Sequence, residues 1–113
     1  MKLSEIVTQL GLEVRAGAEQ LDVEVGSAYA SDLLSDVMAH ASEGALWITL
    51  QVHQNIVAVA VMKSLAAIVL VNSREPDEAT VRKATDEGIP LLISPQGAFE
   101  LAGRLFGLGL AGS

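Results

Sequence analysis

Two runs of aliphatic residues, at positions 45–50 (ALWITL) and 66–71 (AAIVLV), constrain the fold of this chain more than any other feature. Apart from Thr49, neither run carries a polar side chain. A strand without polar alternation is typical of the interior of a parallel sheet that helices cover on both faces. Residues 55–65, between the runs, are apolar nearly all round. They predict a helix that is either enclosed in the fold or part of an oligomer contact. We therefore predict that the two runs are adjacent, central strands of one sheet.

The rest of the chain alternates between strand-like and helix-like segments. Strand-like patterns lie at residues 12–15, 21–30, 45–50, 66–71 and 89–93, and helix-like patterns lie at residues 3–10, 31–41, 55–65, 77–87 and 94–106. We expect Ser4, Ser31, Asp77 and Ser94 to cap helices, and Gly11 and Gly88 to end them. Pro90 places its strand at or near a sheet edge. This order predicts an α/β fold: a single three-layer α/β/α domain at residues 1–113, with a mainly parallel sheet of four or five strands. Residues 107–113 are expected to form a frayed tail.

The charge and the composition argue against several classes of function. The chain carries 7 basic and 14 acidic side chains, and the pair Arg82-Lys83 is its nearest approach to a basic cluster. Because binding to a phosphate backbone needs several converging cations, we expect no nucleic-acid partner. The longest apolar run, residues 56–62, is far shorter than the ~20 residues that span a bilayer. With no signal-like N-terminus and no cysteine, we expect a cytoplasmic protein without a membrane partner.

Polar residues follow four of the predicted strands at the point where each strand ends. The carboxyl ends of parallel strands meet at one edge of a sheet, where α/β domains often bind ligands. The candidate ligand-binding residues at this edge are Ser31, Asp32, Gln51, His53, Gln54, Asn55, Asn72 and Ser94. The same residue types also cap helices, and we favour capping at Ser31 and Ser94. We favour ligand contact at residues 51–55, because five polar residues exceed the needs of one cap.

The sequence contains no set of residues that predicts catalysis, a metal or a cofactor. His53 is the best single candidate for chemistry because histidine exchanges protons near neutral pH. His40, the other histidine, lies 13 residues away on a different predicted element, and no cysteine is present. That pattern is a poor metal site. No phosphate-binding loop, nucleophile elbow or metalloprotease motif occurs. We therefore predict no enzyme activity, no catalytic residues and no metal or cofactor.

Several segments together resemble a known family, and the resemblance covers nearly the whole chain. The strongest are residues 29–39 (YASDLLSDVMA), 47–51 (WITLQ) with His53 and residues 55–60 (NIVAVA), and 75–78 (EPDE); residues 88–92 and 99–105 are weaker. The family is the DRTGG domain, and the chain is also similar to the N-terminal, non-catalytic domain of HPr kinase/phosphorylase. Where members read L-D-R-E-V-T-G-G-Y, residues 21–29 read LDVEVGSAY, so only Asp22 of the name-giving residues is present. The resemblance implies a regulatory or ligand-sensing domain, and it supplies no catalytic residues.

Two functions from different classes follow. The first is a non-enzymatic regulatory domain that binds a small ligand, such as a nucleotide or nucleoside, at the strand-end edge. Because a carboxylate at Asp32 would repel a bare polyphosphate, a nucleoside-like ligand is favoured. The alternative is a protein–protein interaction module that docks through the apolar residues 55–65 on a kinase-like or metabolic partner, without a small ligand. A mean hydropathy of +0.42 in an 11.8 kDa chain also predicts a homodimer.

Overall fold

The two aliphatic runs form neighbouring interior strands, as predicted. In the computed structural model, which describes residues 1–112, β3 is Ala45–Thr49 and β4 is Ala67–Leu70. They pair in parallel, with Leu46 opposite Ala67, and every residue in both strands is buried.

The sheet has five strands in the order β1-β5-β4-β3-β2. The outer strands are β1 (Glu13–Ala16) and β2 (Ser27–Ala30), and β5 (Leu91–Ile93) lies between β1 and β4. Strands β2 to β5 are parallel, and β1 runs antiparallel to β5. The helices are α1 (Leu3–Leu10), α2 (Leu34–His40), α3 (Asn55–Met62), α4 (Glu78–Glu87) and α5 (Ala98–Gly107), with a short 3-10 helix at Ala18–Gln20.

Helices cover both faces of the sheet, which confirms the predicted three-layer α/β fold. Because successive strand side chains point to opposite faces, β3 contributes Leu46 and Ile48 to one core and Ala45 and Trp47 to the other. The first core is completed by α1 and α5, and the second by α2, α3 and α4.

Helix α3 is enclosed by its neighbours rather than displayed on the surface. Ile56, Val57, Val59 and Ala60 are buried, and the helix packs between α2 and α4. The prediction that this apolar helix is enclosed in the fold is therefore correct. None of the helices in the described part of the chain is long and apolar enough to cross a membrane.

Residues 21–25 do not form the predicted strand. Their alternating pattern reflects pairing with the N-terminus instead: the carbonyls of Leu21 and Val23 accept hydrogen bonds from the amides of Ser4 and Leu3. A single antiparallel bridge links Lys2 with Glu24. The sheet strand begins only at Ser27.

The predicted helix ends are right, but three of the four predicted caps are wrong. Gly11 and Gly88 end α1 and α4 in the left-handed conformation, with φ of 62° and 68°. Asp77 does hold the N-cap position of α4, although its side chain makes no capping hydrogen bond. The N-cap positions of α1, α2 and α5 are instead Lys2, Leu33 and Gly97.

The expected fraying from residue 107 is not seen as far as Gly112. Helix α5 ends at Gly107, Leu110 is buried, and the Ala28 amide donates a 3.0 Å hydrogen bond to the Ala111 carbonyl. The segment is held because it pairs with the otherwise open edge of β2. Ser113, the last residue of the predicted tail, lies outside the described residues.

Candidate functional site

The carboxyl ends of the parallel strands border a cleft beside the start of α5. It has a volume of about 180 Å³. We call it the rim cleft, and its lining residues are Ala30, Ser31, Asp32, Ile48, Thr49, Leu50, Val71, Asn72 and Ala98. Strands β2 and β3, the turn after β4 and helix α5 therefore all contribute to one surface.

The carboxylate of Asp32 is fixed by the end of the neighbouring strand. Its Oδ1 accepts a 2.9 Å hydrogen bond from the Thr49 hydroxyl and a 2.7 Å hydrogen bond from the Leu50 amide. Hydrogen bonds to an ionised acceptor are stronger than neutral ones. We call this arrangement the Asp32 clasp. It joins the loop after β2 to the end of β3 and holds a negative charge at the cleft.

Two side chains from β3 and its following loop hold the backbone under the clasp. The Trp47 indole, which is fully buried, donates a 2.8 Å hydrogen bond from Nε1 to the Ser31 carbonyl. Gln51 donates from Nε2 to the Asp32 carbonyl at 2.9 Å, and its own amide donates to the Thr49 hydroxyl at 3.1 Å. The loop at residues 31–32 is therefore positioned by contacts from the sheet and the loop that follows β3.

Asn72 reaches the cleft from a strained turn after β4. It and Ser73 are consecutive left-handed residues, with φ of 57° and 54°. Such a conformation costs about 1–3 kcal/mol for each non-glycine residue, so the surroundings must hold it. The Asn72 amide donates to the Gln96 carbonyl at 2.9 Å, and a Cβ on Gly97 would lie only 3.2 Å from Asn72 Oδ1. The loop before α5 thus fixes the turn and leaves room for the amide side chain.

The charge of the rim cleft favours hydrogen-bond donors over phosphates. Of the described residues that line it, Asp32 alone is charged, and no lysine or arginine contributes. A carboxylate held in place is a good acceptor for hydroxyl, amine or ammonium groups. The cleft therefore suits groups that donate hydrogen bonds better than a bare phosphate.

The structure brings together some of the sequence-predicted residues. Ser31, Asp32 and Asn72 line the rim cleft, and Gln51 is joined to it through the Asp32 carbonyl. Ser94 is fully buried beneath this edge, where its hydroxyl accepts a 3.1 Å hydrogen bond from the Gln96 amide.

Three predicted residues lie elsewhere. His53, Gln54 and Asn55 precede or begin α3, which leaves β3 toward the opposite face of the sheet from α5. His53 Nδ1 lies 2.8 Å from Asp77 Oδ2, and Gln54 lines a separate groove against α4. These three residues therefore do not line the rim cleft with Ser31, Asp32 and Asn72, because a strand-end loop can leave on either face of the sheet.

A polar network beside the cleft was not predicted. The Tyr29 hydroxyl donates a 2.8 Å hydrogen bond to Asp36 Oδ2, and His40 Nδ1 lies 3.0 Å from Asp36 Oδ1. The Ser31 hydroxyl, followed by that of Tyr29, lowers the pKa of Asp36 below its usual value. The bond to Asp36 is also the main reason that the pKa of Tyr29 is raised. The spacing of Asp36 and His40, four residues apart on a predicted helix, was the available signal.

Thr49 was a second missed residue. Its position as the one polar side chain of a buried strand was the available signal, because a buried hydroxyl needs a partner. As for metals, no group of three or more histidine, cysteine, aspartate or glutamate side chains within residues 1–112 is placed to hold an ion.

A family model described as the DRTGG domain matches residues 5–108. The chain belongs to the DRTGG domain family. The family resemblance seen in the sequence is thereby confirmed, even though most of the name-giving residues of the motif are replaced in this DRTGG domain. No curated protein matches the sequence.

Among solved structures, this DRTGG domain is similar to the CBS and DRTGG domains of the regulatory region of Clostridium perfringens pyrophosphatase. That structure was solved in complex with an activator, diadenosine tetraphosphate. The TM-score is 0.73 at 18% sequence identity, over 97% of this chain and 47% of the other chain. The DRTGG domain thus spans about half the length of that neighbour, and the likeness supports the fold.

Proposed function

We propose that this DRTGG domain is a non-catalytic regulatory module that binds a nucleoside or a related small ligand in the rim cleft. The observation that carries the proposal is the Asp32 clasp, which presents a carboxylate already fixed by Thr49 and Leu50. A pre-positioned acceptor binds a ligand without a further ordering cost. Paired ribose hydroxyls are donors that match one carboxylate.

The size of the cleft indicates how much of such a ligand it takes. Pockets that enclose a whole drug-sized ligand have volumes of about 300–1,000 Å³. At about 180 Å³, the rim cleft takes one ring-sized fragment, such as a ribose. The remainder of the ligand would lie outside the cleft. This matches the structural neighbour only in chemical class, since its activator contains two adenosine groups.

The proposed contact residues are fewer than the sequence indicated. Ser31, Asp32 and Asn72 would contact the ligand, and Gln51 would hold the Asp32 backbone. We leave His53, Gln54 and Asn55 out because they lie on the far side of the sheet edge.

A thermal-shift screen tests this proposal, with adenosine, AMP, ATP and diadenosine tetraphosphate as probes and inorganic phosphate as a comparison. At 100 times its Kd, a ligand adds about 2.7 kcal/mol of stability, which for a domain of this size raises Tm by roughly 10 °C. We expect adenosine and AMP to shift Tm more than ATP, because the cleft holds a negative charge.

Asp32→Asn keeps the shape of the side chain but removes its charge, and it should abolish the shift. The matched control is Asp86→Asn, an exposed carboxylate on α4 that borders two other grooves. If none of the probes shifts the wild type, or if Asp86→Asn rather than Asp32→Asn removes the shift, the rim cleft is not the site.

The alternative function, an interaction module without a small ligand, needs a different surface from the one predicted. Most of the helix at residues 55–65 is covered by α2 and α4, and its exposed apolar side chains are Val61 and Met62. The two most exposed of the large apolar side chains, Phe99 and Phe106, lie on α5, and we propose below that they form a homodimer contact.

A further inference from the structure

Both phenylalanines of this chain lie in solvent on the same helix. Phe99 is 94% exposed and Phe106 is 74% exposed, and the chain has no other phenylalanine. Seven residues apart on α5, they project from one face of the helix. Phenylalanine is normally among the most buried residue types. A helix face that exposes both phenylalanines is therefore an unpartnered apolar surface.

The residues between the two phenylalanines are arranged nearly symmetrically about the middle of the helix. Gly103 is exposed, and a Cβ added to it would meet no atom within 4 Å. Glu100 and Arg104 both lie along one side of this face and approach each other at 3.9 Å. A small residue at the centre lets a second helix come close, and each end of the face carries one aromatic ring.

This arrangement is complementary to a reversed copy of itself. If a second α5 lies antiparallel across Gly103, then Phe99 faces the partner's Phe106 at both ends of the contact. The same operation places Glu100 opposite the partner's Arg104, so each charge meets its opposite. A parallel pairing would instead set Glu100 against another glutamate. A two-fold interface of this kind requires self-complementarity, and both the apolar and the charged residues supply it.

We propose that two copies of this DRTGG domain form a homodimer by packing α5 against α5 in antiparallel orientation, with the two-fold axis between Ala102 and Gly103. The apolar area that this contact would bury also supports a second copy as the partner. Each phenylalanine buries about 150–250 Å² when covered, so four supply roughly half of the 1,200–2,000 Å² in a typical stable interface. The flanking Glu100 and Arg104 side chains and the neighbouring segment of residues 107–112 border the same face.

The dimer would lie directly beside the rim cleft. Ala98, which lines that cleft, is the residue before Phe99. Phe106 lines an adjoining apolar cleft of about 160 Å³ that shares Ala30 and Ile48 with the rim cleft. The partner's Phe106 would thus pack next to the ligand site of the first copy. The dimer itself does not depend on ligand binding, so the two proposals can fail separately.

The apolar end of α3 is the rival surface. Met62 is 69% exposed there and Val61 is 42% exposed. Lys63 follows directly, and Ile56, Val57, Val59 and Ala60 of the same helix are buried. This patch offers no symmetric pairing of apolar and charged residues, so it serves as the matched control.

Disulfide trapping in the full chain tests the geometry, because the protein contains no cysteine of its own. Two cysteines form a disulfide only if their Cα atoms lie within about 7 Å. We expect Gly103→Cys to convert fully to a covalent dimer on mild oxidation at micromolar concentration. Met62→Cys should cross-link only at the slow rate of chance collisions. Rapid cross-linking of Met62→Cys, or none for Gly103→Cys, would overturn the assignment of the face.

Sedimentation equilibrium of variants without cysteine tests the energetics. The wild type should sediment at twice 11.8 kDa. Phe99→Ser should raise the dimer Kd roughly 30-fold, as expected for an aromatic hot spot, whereas Met62→Ser should leave it unchanged. Arg104→Glu should weaken the dimer and Glu100→Arg combined with it should restore it, because the swapped pair is complementary again. A monomeric wild type, or a Kd that Phe99→Ser does not change, contradicts the proposal.

Discussion

Removal of the Thr49 hydroxyl should destabilise the protein by a measurable and predictable amount. Thr49→Val keeps the shape of a side chain that is 1% exposed. It removes the hydrogen bond to the Asp32 carboxylate and the acceptor for the Gln51 amide. A bond to a charged group contributes about 1.5–3 kcal/mol and a neutral one about 1 kcal/mol. Since Asp32 is exposed, the lower end applies. The added methyl group offsets about 0.8 kcal/mol. The expected loss is therefore roughly 1.5–2 kcal/mol in the free energy of unfolding.

Urea unfolding monitored by fluorescence measures this loss, because the single tryptophan, Trp47, is fully buried. The midpoint should fall while the dependence on urea concentration stays unchanged. Adding Asp32→Ala completes a double-mutant cycle, and the coupling energy between the two positions should exceed 1 kcal/mol, within the usual range of about 0.5–3 kcal/mol for residues in contact. Additive effects, with coupling below about 0.3 kcal/mol, would show that the Asp32 clasp contributes nothing to the fold.

Three further outcomes test other parts of the structure. Gly17→Ala should lower the free energy of unfolding in urea by roughly 2–5 kcal/mol, because its φ is 75° and the new Cβ would lie 2.6 Å from the backbone of Pro90. Gly11→Ala, with a φ of 62° but open space around the new Cβ, should cost only about 1–2 kcal/mol. Equal costs for the two variants would refute the steric argument. Leu110→Ala should cost about 2 kcal/mol and speed amide exchange in β2; no effect would mean that the C-terminal segment is not docked. Stability should fall in acid, because the pKa of Asp36 lies below its ordinary value of 3.8, so its contribution is present above that pH and lost as the carboxylate protonates. The pKa of Tyr29 is raised, so its contribution to stability is present at lower pH and is lost as the hydroxyl ionises above pH 10.0. Asp36→Asn should flatten the acid side of the plot of unfolding free energy against pH, and Tyr29→Phe should flatten its alkaline side. If neither variant changes that plot, the hydrogen bond between Tyr29 and Asp36 does not contribute to stability.

The sequence predicted the elements whose signal is local and strong. The apolar runs of β3 and β4 could only be interior strands, and Gly11 and Gly88 ended their helices because each adopts a positive φ. The pattern at residues 21–25 failed for a physical reason. Alternation shows that one side of a segment is covered, but it does not say whether the covering partner is the sheet or the N-terminus.

Half of the predicted rim residues line the cleft or support it, and the reason lies in topology. Asp32 and Asn72 follow strands whose ends meet at one edge, and this follows from parallel pairing alone. His53 also follows such a strand, yet its loop leaves toward α4, where Asp77 binds it. The side of the sheet on which a loop leaves depends on helix packing, which a single sequence does not specify. For the same reason, the contribution of α5 to the cleft, through Ala98, could not be predicted.

The most direct test of the central claim is a titration with adenosine followed by amide chemical shifts in the NMR spectrum. If the rim cleft binds the nucleoside, the largest changes should occur at the amides of Leu50, Asn72 and Ala98, and Asp32→Asn should abolish them. Changes centred instead on Gln54 and Arg82, in the groove against α4, would contradict the account, and so would a spectrum that does not change at saturating adenosine.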